Sequence, residues 1–253
     1  ALVPVLYEKL PHRKYGLLYS ATFPFIAGWL LVGGFGLESV DTDQFGGIML
    51  TLILGVTGIS FSLPIGVALA LGRQSNMPVL RILCVLFIEF IRGVPLITLL
   101  FVASTMLNYF LPPGTVYALL VRVLIMVTLF ASAYMAEVIR GGLQAISKGQ
   151  HEAGDSLGLT YWQAHRLIIL PQAMKISIPG IVSNFIGLYK DTTLVLIIGM
   201  MDILGLGNAS LADAKWAGLA MEVYIFVALY FFISCFSMSR YSLYLEKKLH
   251  TGH

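Results

Sequence analysis

The chain has 253 residues, 58% of them hydrophobic and 11% charged, with a formal net charge of +3 and a mean hydropathy of +0.85. That balance excludes a soluble domain and suggests no nucleic-acid partner, so the chain reads as an integral membrane protein. Cys84 and Cys235 both lie inside apolar runs and read as small hydrophobes, which argues against a disulfide framework or a redox role.

The chain opens ALVPVLYEKLPHRKYG, without Met and without the charged start, short apolar core and cleavage site of a signal peptide. The expectation is therefore an N-terminus that is missing or processed. Tyr15 to Phe35 is a first apolar run of 21 residues, enough at about 1.5 Å per residue to cross a hydrocarbon core of about 30 Å. Lys9, Arg13 and Lys14 precede it, and Glu38, Asp41 and Asp43 follow it, which puts the N-terminus in the cytoplasm by the positive-inside rule. A second run, Gly46 to Leu71, returns the chain to Arg73 and Arg81. Its Gly55, Gly58 and Gly66 permit close helix contact and Pro64 can kink it, so this span is expected inside the bundle.

Val79 to Leu107 is too long, at 29 residues, for one upright crossing. Glu89 and Arg92 share a helix face three residues apart, and Gly93-Val94-Pro95 just after them predicts a kink and an oblique entry. The turn NYFLPPG follows on the outside, and a fourth span runs from Val116 to about Leu143, where Arg140 and Lys148 mark the cytoplasm again. Gln150 to Pro171 then forms a polar island that must lie outside the hydrocarbon. Within it, EAGDSLGL reads as a short helix closed by Gly158 in a left-handed turn, after which the chain restarts toward Pro171. Lys175 is the last cation before Pro179, which places the fifth span from Pro179 to about Met201. Asp202 to Lys215 reads as an outside loop, and Trp216 to Ser237 as a sixth span ending at Arg240, Lys247 and Lys248. Six crossings with both ends inside satisfy every charge marker. There is no Gly-x4-Gly-Lys-Ser/Thr, so the chain carries no P-loop.

The polar island has a specific spacing: Glu152-Ala153, Gly158 six residues after the glutamate, then Ile168, Leu170 and Pro171. It resembles the cytoplasmic coupling loop of importer permeases of the ATP-binding-cassette superfamily. Gly154 stands where that pattern has alanine, at a cost to a helix of about 1 kcal/mol, so a slightly looser knob is expected. FIEFIRGVPLITLLF, AYMAEVIRGGLQAISKGQ and IPGIVSNFIGLYKDTTLVLIIG are similar to the signature segments of permeases in polar-amino-acid uptake systems. The extra N-terminal region is most like that of the general L-amino-acid permeases of Gram-negative bacteria.

The resemblance implies an all-α polytopic membrane bundle: an N-terminal extension with one span over residues 1–45, a five-span permease core over 46–248 with the coupling loop at 150–171, and a cytoplasmic tail at 249–253. It implies the permease of an ATP-driven L-amino-acid importer in a bacterial inner membrane, itself no enzyme. ATP and Mg would sit on two separate ATPase subunits, beside a second, related permease chain and a periplasmic amino-acid-binding protein. Glu152, Ala153, Gly154, Leu157, Gly158 and Leu159 would contact the ATPase. The other reading is a channel or membrane-embedded enzyme, which would lack ATPase coupling; an enzyme would need a nucleophile and base that no histidine here supplies within the membrane.

The segment KDTT puts Lys190, Asp191, Thr192 and Thr193 near the midplane. Lys190 and Asp191 either neutralise each other or their neighbours, or form a substrate site, since a zwitterion needs one partner of each sign. Helix-capping residues in mid-span fit a broken helix of the kind that builds substrate sites in secondary transporters. Arg122, about six residues into the fourth span, either snorkels to the outer interface or takes a substrate carboxylate. Glu137 would help from the same span, although Glu137/Arg140 and Glu89/Arg92 look more like gate or structural pairs. All five histidines fall in cytoplasmic segments, so no metal site is expected. The uncharged N-terminal span should be peripheral, its acidic loop either docking the binding protein or touching nothing.

Overall fold

The structure is a computed structural model that describes residues 41–249 apart from 111, 113–116 and 217, and before residue 41 only residues 22, 26, 29, 30 and 33–36. Most of the expected N-terminal span, Glu38 of its acidic loop and nearly all of the tail lie outside the described residues.

Four described helices are long and apolar enough to cross a membrane, or five if one bent pair counts as a single span. Helix α1 (Gly47–Gln74) runs unbroken through Pro64. A Cβ at Gly55 would stand 2.7 Å from the Tyr189 ring, and one at Gly66 would stand 2.6 Å from Met135. These glycines therefore let neighbouring backbones close on α1, as small residues do where lipid offers no competing drive.

The kink expected in the third span forms, and it is sharp. Helix α2 (Pro78–Gly93) and helix α3 (Leu96–Phe101) meet at a 103° bend. Val94, held extended at φ −109° and ψ 131° by the ring that follows it, and Pro95, which has no N–H to donate, together end one helix and aim the next. A π turn (Val102–Met106) and a 3₁₀ turn (Leu107–Phe110) complete this arm.

Helix α4 (Leu119–Gln144) is central, packing on α1, α2 and α3. After it come short α5 (Lys148–Ser156) and α6 (Tyr161–Ala164), a π turn (His165–Ile169) and α7 (Leu170–Asp191), which packs against α4 and α1. The fifth span thus begins well before Pro179, which sits inside α7. Lys175 is exposed, while Ala173, Met174, Ser177, Ile178 and Ile181 are buried. That stripe has helical period from Ala173 onward, so one exposed cation does not mark where packing begins.

Asp202 to Lys215 is likewise not a loop. Helix α8 (Ile203–Leu211) starts at Asp202, whose carboxylate accepts from the N–H of Gly205 at 2.8 Å. Burial pushes the Asp202 carboxyl above its ordinary range, and the N–H groups of Gly205 and Leu204 pull it back. Gly207 meets Val223 of the last helix, so a glycine that reads as a loop signal serves close packing.

Helix α9 (Ala220–Leu249) continues past Arg240 to its basic end. Only 6% of its most apolar window is buried, so it is peripheral; the Tyr230 and Tyr189 hydroxyls, 2.7 Å apart, tie it to α7. The buried core forms clusters along the bundle, one around Leu50, Leu54, Leu100 and Val123, another around Ile88, Met135, Ile139 and Ile181 nearer α5.

Candidate functional site: a capped knob and an acidic cavity

The knob is built from backbone chemistry. Gly158 holds φ +69°, its N–H donates to Asp155 O at 2.9 Å, and the N–H of Leu159 donates to Gly154 O at 3.1 Å, closing α5. Thr160 then opens α6 with a capping box: Gln163 N–H donates to Thr160 Oγ1 at 3.4 Å and Thr160 N–H to Gln163 Oε1 at 2.9 Å. Gly154 is buried, and a methyl there would stand 3.3 Å from Ala164 Cβ. The glycine thus permits a close α5–α6 contact, in place of the looser knob expected from helix propensity. Glu152, Ala153 and Leu157 are exposed, Ala153 and Leu157 one turn apart and Leu157 72% exposed, so an apolar contact surface is free. Gln172 of α7 donates to Gln150 Oε1 at 2.9 Å and ties the knob to the long helix. His165 is buried on the π turn, its ring centroid 3.9 Å from that of Tyr161 and tilted 32° to it.

At the other end of α7 lies a cavity of about 460 Å³ between α4 and α7. Asp191, Asn184 and Ser183 line it from α7, and Phe130 and Tyr134 from α4. Asn184 Nδ2 donates to Ala131 O at 3.3 Å, pinning the two helices beside it. Of the KDTT residues only Asp191 reaches this cavity. Lys190 is exposed on another side, and among the described residues it forms no ion pair with Asp191. Thr192 and Thr193 turn their hydroxyls back to Tyr189 O at 2.8 Å and Lys190 O at 3.0 Å. The helix does break here, tightening into a 3₁₀ turn (Thr192–Ile198) that ends at Gly199 with φ +85°.

Arg122 and Glu137 stand elsewhere. Arg122 is only 9% exposed and clamps backbone, with Nε on Tyr117 O at 3.1 Å and Nη1 on Ala103 O at 3.2 Å and on Ser104 O. It lines a second cavity of about 930 Å³ with Asp41 and Asp43, at the end of the bundle away from the knob. Glu137 is the hub of a charge cluster near the knob end, pairing with Arg73, with Arg140 at 2.9 Å and with Arg92 at 3.7 Å. The expected Glu137/Arg140 pair forms, whereas Glu89 pairs with Arg73 at 3.0 Å and not with Arg92. Tyr134, Ser183 and Asn184 were missed as cavity residues. The signal was available in part: Ser183, Gly187 and Asp191 recur every four residues along an apolar helix.

Residues 62–251 match the family described as binding-protein-dependent transport system inner membrane component. The chain is 64% identical over 218 residues to the glutamate/glutamine/aspartate/asparagine transport system permease protein BztC of Rhodobacter capsulatus, covering 86% of this chain and 50% of that one. It is 52% identical over 254 residues to the inner membrane amino-acid ABC transporter permease protein YhdY of Escherichia coli, covering all of this chain and 69% of that one. The chain therefore spans half the length of the first relative and about two thirds of the second. A crystal structure of an amino acid ABC transporter with histidines superposes with a TM-score of 0.70 at 26% identity, covering 93% of this chain and 98% of that one. These likenesses favour the permease reading over the channel or enzyme.

Proposed function

Because the chain belongs to the inner membrane component family of binding-protein-dependent transport systems, we propose that it is the translocating permease subunit of an ATP-driven importer of L-amino acids. The observation that carries this reading is the continuity of α7, whose 22 residues extend about 33 Å at about 1.5 Å per residue. One end is tied to the knob through Gln172 and the other ends at the cavity with Asp191. A push on the knob is thereby delivered to the cavity by one rigid element.

Both chain ends are cytoplasmic in this reading, by the positive-inside rule applied to Arg73, Arg140, Lys247 and Lys248. With no P-loop in the chain, two partner ATPase subunits hold ATP and Mg, and Ala153 and Leu157 enter a groove on one of them. A second, related permease chain completes the pathway, as one knob serves one ATPase. A periplasmic amino-acid-binding protein delivers substrate at the far end, beside Asp41, Asp43 and Arg122. Asp191 takes the substrate ammonium in the cavity, while Lys190, Thr192, Thr193 and Glu137 support the site without lining it.

Co-purification tests the assembly. The tagged chain should bring down a nucleotide-binding protein from the membrane, and the double variant Ala153→Asp, Leu157→Asp should lose it while remaining folded. An active transporter purified as this chain alone would overturn the proposal.

A further inference from the structure

We infer that His151 and His165 form a proton-sensitive joint in the knob, which loosens the coupling to the ATPase when the cytoplasm acidifies. The inference rests on the import reading above, because it needs the knob to transmit the push. His165 stands on the π turn that joins α6 to α7, a local widening of the helix of a kind frequent at functional positions. It is 8% exposed, and its Nδ1 lies 3.0 Å from Tyr161 O, which can only accept, so that nitrogen carries a proton. In the neutral ring the open position for a second proton is therefore Nε2. His151 approaches from α5, its ring centroid 6.0 Å from that of His165. It stands three residues before Gly154 and so shares the face of α5 that meets Ala164. The pair thus spans the contact by which α5 rests on α6 and on the start of α7.

The surroundings of the pair hold one added proton poorly and two worse. The elements packed against the π turn carry Lys148, Glu152 and Asp155 on α5, Tyr161 on α6 and Lys175 on α7, and the turn itself carries Arg166. Neither Glu152 nor Asp155 forms an ion pair with either imidazole among the described residues. The Tyr161 ring, its centroid 3.9 Å away, offers an imidazolium a cation–π attraction, which is smaller than the cost of keeping a charge from water without a counter-ion. His151 is exposed and takes its proton from the cytoplasm directly. With both rings charged, two like charges face each other across a packed contact. That repulsion is relieved when α5 moves off the π turn or when His165 turns out to water, and either movement opens the joint. Histidine changes charge between about pH 5 and 8. The closed joint, which favours neutral rings, is therefore kept at the upper end of that range and lost toward the lower end.

The test is the amount of L-glutamine carried per ATP hydrolysed by the purified complex in lipid vesicles. ATP is supplied on the knob side, the periplasmic binding protein and L-glutamine are enclosed within, and the outer pH is set between about 7.5 and about 5.5. The unsubstituted complex should lose about tenfold in that ratio at the acid end. His165→Asn, which keeps an N–H for Tyr161 O but takes up no proton, and His151→Gln should each hold the ratio within about twofold across the range. A ratio that does not change with pH in the unsubstituted complex overturns the inference and leaves the import reading standing, and so does a fall that persists in either variant. Should His165→Asn be uncoupled at every pH, it has lost packing, and His151→Gln, at an exposed position, decides alone: a flat ratio supports the joint and a persisting fall overturns it. If the unsubstituted complex shows no ATP-driven uptake even at about pH 7.5, both readings fall together.

Discussion

The knob and the Asp191 cavity lie at opposite ends of one helix and are specified in opposite ways. Every determinant of the knob sits within 22 residues, and its interactions are mostly between backbone groups or between a cap side chain and the backbone beside it. The cavity joins α4 to α7, with Phe130 and Asp191 sixty-one positions apart, and exists only because Gly180 and Asn184 let α7 settle against Val138 and Ala131. Local chemistry therefore shapes the surface proposed to meet a partner, and packing shapes the space proposed to hold a substrate. A knob substitution should then act through coupling, and a cavity substitution through the cargo.

The largest effect is expected in the cavity. Asp191→Asn should reduce uptake into reconstituted vesicles by a factor of about 100, the scale of one lost charge-assisted contact of about 3 kcal/mol. Capture of the amino acid by the periplasmic binding protein should stay unchanged, because that protein makes its own contacts. Normal uptake of several amino acids by this variant would break the comparison at its cavity end.

Next comes the knob. Gly158→Val forces a β-branched residue to φ +69°, a strain of about 1–3 kcal/mol, and should cut transport by about tenfold while ATP hydrolysis continues. Gly158→Asn, which tolerates the left-handed region better, should retain most of the coupling. Should the valine variant keep transport and hydrolysis in step, the turn is not the coupling element.

The smallest effect sharpens the boundary between the two regions. Gly154→Ala trades a helix-propensity gain of about 1 kcal/mol against the 3.3 Å approach to Ala164. Thermal stability and transport should both stay near the parent values, within about 1 kcal/mol and twofold. Gly154→Leu, by contrast, should wedge α5 from α6 and behave like Gly158→Val. Equal tolerance of alanine and leucine would show that the α5–α6 contact does not hold the knob in shape.

Much of this architecture was legible in residue order. The spans now seen as α1, α4 and α9 and the left-handed Gly158 follow from apolar length and from glycine placement. Two readings failed where a local signal was overruled. Lys175 resembled a membrane boundary but stands on the exposed side of a helix whose buried stripe has already begun. The Asp202 to Lys215 segment has the glycines of a loop, yet Asp202 caps a helix and Gly207 packs against Val223. The kink expected at Gly-Val-Pro did form, as a 103° bend, because Val94 adopts extended geometry ahead of a ring with no donor.

What residue order determined by itself is which segments of the core are apolar enough to cross and the form of the turn between two of them. Transfer free energy along a segment and the φ of a glycine are properties of a short stretch of chain. What only the tertiary structure decided is which polar groups meet. Lys190 and Asp191 are neighbours in sequence, but successive residues project about 100° apart around a helix, so one is exposed while the other lines the cavity. Arg92 and Glu137, forty-five positions apart, share one cluster. The rotation of each helix is fixed by which glycines and small side chains admit a neighbouring backbone, and that is a property of two surfaces together.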